Sequence, residues 1–403
     1  MPEPKATPPM ATTRTPPTIA TLILLTGAST LSLNMFLPSL VNIAAEFETD
    51  YTLVSVSIAG YLAMTGVLQV IIGPLSDRYG RRPVMLWAVA IFAAASLGCL
   101  LAQDIWTFLI FRMAQGAIIT GGALARVIVR DTRDPADAIG LLGYISMAMA
   151  IAPMLGPMVG GVLDEGFGWR SSFAVYTIIG FALLALIWVD LGETNAAPSA
   201  TFRHQFAVWP LLLRSGAFWA YSGCVAFSTG AFYAFIAGAP LVASVFFDIS
   251  PGVLGVYMGS ITGGFFCGSF AAARLAKRTD PLAMMIAGRI LACAGLAGGL
   301  ALFAAGVEHE FALFGATLFV GVGNGLTMPS ANVGVMNVRT DIAGAASGLS
   351  GAMTVAGGAI LTWMAGSLVN AETGAMMLLS LMFGASFLGL LSALWAAKVN
   401  RTG

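Results

Sequence analysis

The stretch 73-GPLSDRYGRRP-83 decides how this chain is read. Only 9% of its 403 residues are charged, yet one acid and three arginines fall within these eleven positions. Apolar sequence flanks the stretch on both sides, and about 20 apolar residues carry a helix across a hydrocarbon core about 30 Å thick. The segment reads as a tight turn between two membrane spans.

Working outward, the chain is 58% hydrophobic, and twelve stretches pass the same length test. They are 19–41, 53–72, 84–102, 106–125, 139–162, 172–189, 216–240, 252–273, 282–306, 311–333, 343–369 and 374–396. Length and uniform apolarity decide such runs, not periodicity. The expected fold class is an all-α membrane protein with twelve transmembrane helices. If the amino terminus is cytoplasmic, sixteen of the 19 Lys and Arg lie at or beyond cytoplasmic helix ends. Arg170 alone falls outside, while Arg112 and Arg289 lie within spans. That asymmetry places both termini in the cytoplasm. Trp87, Trp106, Trp169, Trp188, Trp219 and Trp395 sit near span ends, where amphipathic rings anchor. The first apolar stretch is too long for a cleaved signal and eleven spans follow it, so it is read as a retained helix.

The longest polar interruption, 190–215, separates six spans from six. The expected organisation is a disordered cytoplasmic segment at 1–18, a six-helix bundle at 19–190, and a cytoplasmic linker at 191–215. A second six-helix bundle follows at 216–397, with a tail at 398–403. The halves read as pseudo-repeats: Gln115-Gly116 precedes Arg130 by the spacing at which Asn324-Gly325 precedes Arg339. Two such halves are a recurrent transporter plan with the substrate site at the midplane between them. The four cysteines are scattered through apolar segments without metal-like spacing, so neither a metal nor another cofactor is expected. Zero formal net charge offers no footprint for nucleic acid.

The turn holds more than topology requires. Positive-inside anchoring accounts for Arg78, Arg81 and Arg82, but not for Asp77, Gly73, Pro74 or Gly80. Glycine permits close approach and tight reversal, and Pro83 suits the first turn of the next helix. An acid among arginines at helix ends can pair with them or cap a helix start.

With those residues in view, 73–83 resembles the loop 2–3 signature of the major facilitator superfamily, Gly-x-Leu-x-Asp-Arg-x-Gly-Arg-Arg. FRMAQG, with Arg112 to Gly116, resembles the Arg-x-x-Gln-Gly motif of its drug exporters. APMLGPMVGG at 152–161 resembles the antiporter motif Gly-Pro-x-x-Gly-Gly, here Gly156, Pro157, Gly160 and Gly161. LARVIVRD at 124–131 and NMFLPSL at 34–40 are similar to the bicyclomycin/chloramphenicol-resistance subfamily. The resemblance covers essentially the whole chain. It implies the major facilitator fold in a bacterial inner membrane, as a monomer exporting small amphipathic compounds by rocker-switch alternating access. Helices 5 with 8 and 2 with 11 would form the contacts between halves. Asp77 would contact the start of helix 11, around Asp341 to Ala345, and lock the outward-facing state, making 73–83 a gating loop.

The residues expected to line the substrate cavity are Asn34, Tyr61, Arg112, Gln115, Tyr144, Tyr233, Asn324 and Asn332. Arg112 is deep enough to need protein or a wet cavity beside it, whereas Arg289 is expected to snorkel to the cytoplasmic end. All 19 acidic residues and both histidines lie outside the twelve stretches. Asn34 stands where the resembled subfamily commonly carries an aspartate. Protons are a candidate coupling ion, but only boundary carboxylates such as Asp77, Asp131 or Asp248 are available to carry them. A deep cation without an acid favours neutral, zwitterionic or anionic amphipaths over cations. The alternative reading is a metabolite uptake carrier or facilitator, and no acid–base cluster supports an enzyme.

Overall fold

The computed structural model describes residues 17–133, 135–195, 209–276, 278–339, 342–370 and 374–402. Residues 1–16 of the amino-terminal segment, 196–208 of the linker, and Asp341 lie outside that description. The described chain is helical, with twelve long helices labelled α1 to α12 and a short one at Trp209–Leu213 before the seventh. In the first six, α1 is Ile19–Glu46, α2 Tyr51–Tyr79, α3 Arg81–Leu101 and α4 Ile105–Thr132. They end with α5 Pro135–Phe167 and α6 Arg170–Asp190. The second six are α7 Gly216–Phe247, α8 Pro251–Leu275, α9 Pro281–Ala304, α10 Glu310–Asn337, α11 Ala343–Leu368 and α12 Gly374–Thr402. Among the described residues, eleven of these are long and apolar enough to cross a membrane, α5 being the one in which several side chains are not described.

Helices are forced here because hydrocarbon offers no partner for backbone N–H and C=O groups. Their starts are marked by short polar side chains. Thr18, Asp104, Ser215, Ser250 and Asp280 each accept a hydrogen bond from the backbone N–H three residues on, removing one orphan donor per helix. Two helices are interrupted. In α1 a 3₁₀ turn at Leu37–Ser39 forms around Pro38, and in α4 another spans Gln115–Ile118.

The helices overrun the apolar stretches. The expected turn at 73–83 is largely helical: α2 continues through Pro74 to Tyr79, and α3 starts at Arg81. One residue, Gly80 at φ +95°, makes the reversal, a conformation that glycine adopts without steric cost. Likewise α5 runs past residue 162 to Phe167 and brings Asp164 into a helix. Asp164 is buried, its Oδ2 accepting from Asn42 Nδ2 at 2.6 Å while Oδ1 has no partner.

Contacts between the first six and last six helices run mainly through α5 on α8 and α2 on α11. Glycine makes the first of these possible. A Cβ on Gly161 would overlap the Pro251 carbonyl, and one on Gly255 the Pro157 carbonyl. Gly160 does not belong to this interface. Its Cβ would overlap the Met35 carbonyl of α1, and Gly156 also faces α1, beside Leu31 and Asn34. Successive residues point about 100° apart on a helix, so adjacent glycines serve different neighbours. The α8 glycines divide too: Gly252, Gly255 and Gly259 meet α5, whereas Gly264 and Gly268 meet α10.

Large apolar side chains cover the outside, Trp87, Trp106 and Trp188 among them. Trp169 departs from its expected anchoring role. It is buried against Phe47, Phe108 and Phe173, with its indole N–H donated to Glu46.

Candidate functional site

A cavity of about 540 Å³ lies between α1, α2, α4, α5, α7, α10 and α11. A second chamber of about 210 Å³ adjoins it, sharing Thr30, Leu33, Met149, Thr229, Tyr233 and Met328. The larger chamber is lined by the parts of α2, α4 and α11 nearer the 73–83 loop, including Gln69, Arg126 and Ser347. The smaller one is deeper and largely apolar, with Phe232, Ile261 and Phe265.

The end away from the loop is closed. Thr52 Oγ1 donates to the Gly366 carbonyl at 3.0 Å, and Gly252 N–H donates to Glu165 Oε1 at 2.9 Å. Tyr51 Oη donates to the Ala237 carbonyl, joining α2 to α7. Near the loop the situation reverses, since a Cβ on Gly73, Gly344 or Gly348 would meet nothing within 4 Å.

Five expected cavity residues line these chambers. Asn34, Tyr233 and Asn324 face the smaller one, and Tyr61, Tyr233 and Asn332 the larger. Three do not. Tyr144 opens onto an apolar groove on the outer surface with Ile23, Leu24 and Ile179. Arg112 and Gln115 are 0% exposed and line neither chamber. Arg112 donates to Gln115 Oε1 at 2.7 Å and to the Ser32 carbonyl at 2.9 Å. Its guanidinium sits between the Phe36 and Tyr61 rings, 4.2 and 4.3 Å from their centroids. Gln115 passes the chain on to Ser96 Oγ at 2.7 Å. Desolvated cation–π contacts are worth about 2 kcal/mol each, and with two hydrogen bonds they offset removal of the charge from water. In this conformation Arg112 therefore fastens α1, α2 and α4 together and does not face the cavity.

Arg289 is also corrected: it does not snorkel. It is 0% exposed, donating to Thr327 Oγ1 at 3.0 Å and to Asn324 Oδ1. Asn324 in turn donates to the Ser228 carbonyl at 3.0 Å. Gln115 and Asn324, matched by the sequence repeat, thus both accept from a buried arginine.

The site holds a residue that sequence reading did not single out. Arg126 is exposed to the larger chamber, where among the described residues it is the one charged residue in the lining. Ile119, Gly122, Ala123 and Arg126 all line it, at the spacing of a single helix face. That spacing was the available signal, but Arg126 had been counted only toward topology.

The loop is fastened to neighbours at its own end. Asp77 pairs with Arg81, which also reaches Asp131 at 3.4 Å. Glu193 accepts from the backbone N–H of Arg81 and Arg82 at 2.9 and 3.2 Å. Arg82 donates to the Trp188 carbonyl at 3.0 Å. Asp77 is thus engaged within its own loop in this conformation.

Comparison with known proteins agrees with this architecture. Over 252 residues the chain is 33% identical to the uncharacterized MFS-type transporter YdgK of Bacillus subtilis, covering 60% of this chain and 62% of that one. It is 29% identical over 262 residues to the multidrug transporter MdfA of Yersinia pestis, 64% of each chain. A chloramphenicol resistance protein of Pseudomonas aeruginosa is 29% identical over 243 residues, 58% of this chain and 54% of that one. The chain spans less than two thirds of the length of these relatives. The fold is shared with a bacterial homologue of the human lysosomal transporter Spinster, crystallised inward-facing and unoccupied, at TM-score 0.73 and 14% identity over 95% of this chain and 96% of that one. A crystal structure of the peptide transporter POT matches at TM-score 0.77 and 16% identity, covering 95% of each chain. Residues 22–362 match the Major Facilitator Superfamily. With its apolar helices, this makes the protein a multi-pass protein of the bacterial inner membrane. The chain belongs to the Major Facilitator Superfamily.

Proposed function

We propose that the protein exports small amphipathic compounds, in the manner of a multidrug transporter, by alternating access. The observation that carries this reading is the central cavity, closed at one end by contacts between α5 and α8 and between α2 and α11, and unpacked at the other. Glycine-to-carbonyl contact at the closed end lets two rigid halves part without disentangling side chains. Named relatives support export: MdfA is a multidrug transporter and the Pseudomonas protein confers chloramphenicol resistance.

In this reading α5 crosses the membrane with the other eleven helices, giving twelve spans in two six-helix bundles, 19–190 and 216–397. Both termini face the cytoplasm and the protein works as a monomer. The 73–83 loop lies on the cytoplasmic side, so the conformation described is inward-open. The cavity-lining residues Asn34, Tyr61, Tyr233, Asn324 and Asn332 contact substrate, and Asp77 latches the loop to the start of α11 when that side closes. A proton-coupled cycle needs a titrating group, and among the described residues no carboxylate lines either chamber. Coupling therefore falls to Asp77 and Asp131, which share Arg81.

The test is a susceptibility panel in a host lacking its own exporters. Expression should raise resistance to a neutral phenicol, and a collapsed proton gradient should abolish the effect. Unchanged susceptibility together with accumulation of a metabolite would replace export by uptake.

A further inference from the structure

We infer that Arg126 is the anchor for an acidic head group, so that the cavity selects anionic amphipaths; the inference rests on the transport reading above. Hydrogen-bond direction carries it. Thr26, Thr30 and Thr65 line the larger chamber, but each hydroxyl proton is already given to a carbonyl of its own helix, at 2.9, 3.1 and 2.8 Å. Thr354 does the same toward Ser350 at 2.8 Å. Ser29 has the Leu25 and Ile118 carbonyls to share its single hydroxyl proton and accepts from Gly122 N–H. Such hydroxyls offer a ligand lone pairs, not protons.

Neutral donors remain on Gln69, Thr229, Tyr233, Asn332 and Ser350, but among the described residues Arg126 is the one charged donor in the lining. Arg126 brings five N–H groups in a planar fork and spends one on a weak contact, NH1 to Met149 Sδ at 3.5 Å. Among the described residues no acidic side chain lines either chamber to neutralise it. A carboxylate, sulfonate or phosphonate matches that fork in charge and geometry. Low dielectric around the cavity strengthens the pairing over its value in water. The apolar body of the ligand would then reach the deeper chamber, past Tyr233 and Met328 to Phe232 and Phe265. A cation in the same place would meet an unpaired guanidinium and no counter-charge.

The test uses the full chain in lipid nanodiscs and two xanthene dyes of similar size and opposite charge, fluorescein and rhodamine 123. Binding is read by fluorescence anisotropy. The anion should bind at least about tenfold tighter than the cation, a difference of about 1.4 kcal/mol. Arg126→Gln should lose about tenfold in anion affinity, and Arg126→Lys should retain most of it as a point charge. Arg126→Glu should reverse the order of the two dyes, a result that damage to the fold could not produce. Equal or tighter binding of the cation by the native protein overturns the inference, as does unchanged anion affinity in Arg126→Gln. Nanodiscs of zwitterionic and of anionic lipid separate two sources of the head group. Fluorescein binding lost only in anionic lipid assigns the site to a lipid head, and binding in both assigns it to a free solute; either supports the anion site. Failure of the phenicol resistance assay would overturn export while leaving these binding results to stand alone.

Discussion

The two ends of the molecule use the same residue type to opposite effect. At the end away from the loop, glycines press on the facing helix: Gly161 on the Pro251 carbonyl, Gly255 on that of Pro157, and Gly366 on the Ser55 side chain. At the loop end, Gly73, Gly344 and Gly348 have open space where a Cβ would stand. A glycine that costs helix stability and packs against nothing makes sense if its neighbour arrives in another conformation. On the transport reading proposed above, the closed end displays its interface and the open end keeps one in reserve. Alternating access needs both, since each closure must be as close as the other and neither can be permanent.

The largest expected effect comes from filling the closed end. Gly161→Leu puts a side chain into the α8 backbone, which no rotamer change relieves. Overpacking of this kind costs about 1–3 kcal/mol, and it is paid only when α5 and α8 are together. Spin labels at the two ends should show the loop end closed in most molecules, and transport should fall to background. Normal transport would mean that the observed α5–α8 contact is not part of the cycle.

Gly160→Leu sharpens the comparison from one residue away. Its overlap is with Met35, inside the first six helices, so it strains every conformation alike. The thermal midpoint in detergent should drop by an amount corresponding to about 1–3 kcal/mol, with the label distances unmoved. A shifted distance distribution would show that α1 also moves against α5.

Asp77→Asn should have a smaller effect, and a conformational one. The Asp77 side chain is 44% exposed, and its buried partner Arg81 keeps Asp131 at 3.4 Å, so the protein should fold and reach the membrane. Removing the charge weakens the proposed latch to α11, which should shift the population inward-open and lower transport several-fold. Wild-type transport would leave the loop as a topological anchor alone. Gly344→Ala is the smallest change. It should leave the thermal midpoint unaltered, because nothing stands nearby, while modestly reducing the population with the loop end closed. An unchanged population would remove the idea of a reserved interface there.

Much of this was legible in the chain itself. Apolar length predicted the helices, because backbone in hydrocarbon has no alternative to satisfying itself. Ser, Thr and Asp marked helix starts, and Gly80 with its arginines marked the reversal between α2 and α3. The repeat offset correctly matched Gln115 with Asn324, though not what either amide does. That Arg112 and Arg289 lie within helices was legible as well, but the burial of Arg289 was not, since it was expected to snorkel.

What the sequence could not supply was direction around each helix axis. In water, polarity separates the inward face from the outward one. In a bilayer the lipid tails are as apolar as the protein interior, so Tyr144 on the outer surface and Tyr61 in the cavity look alike in the chain. Arg112 was read as a cavity residue because a deep charge needs company, and only packing shows that its company is Gln115, Ser32 and two rings. Arg126 was read as a topological charge, and only packing turns it into the cavity. Composition set which helices form and how far along them each residue lies. The tertiary structure decided which of three environments each side faces, because lipid, core and neighbouring half share one polarity.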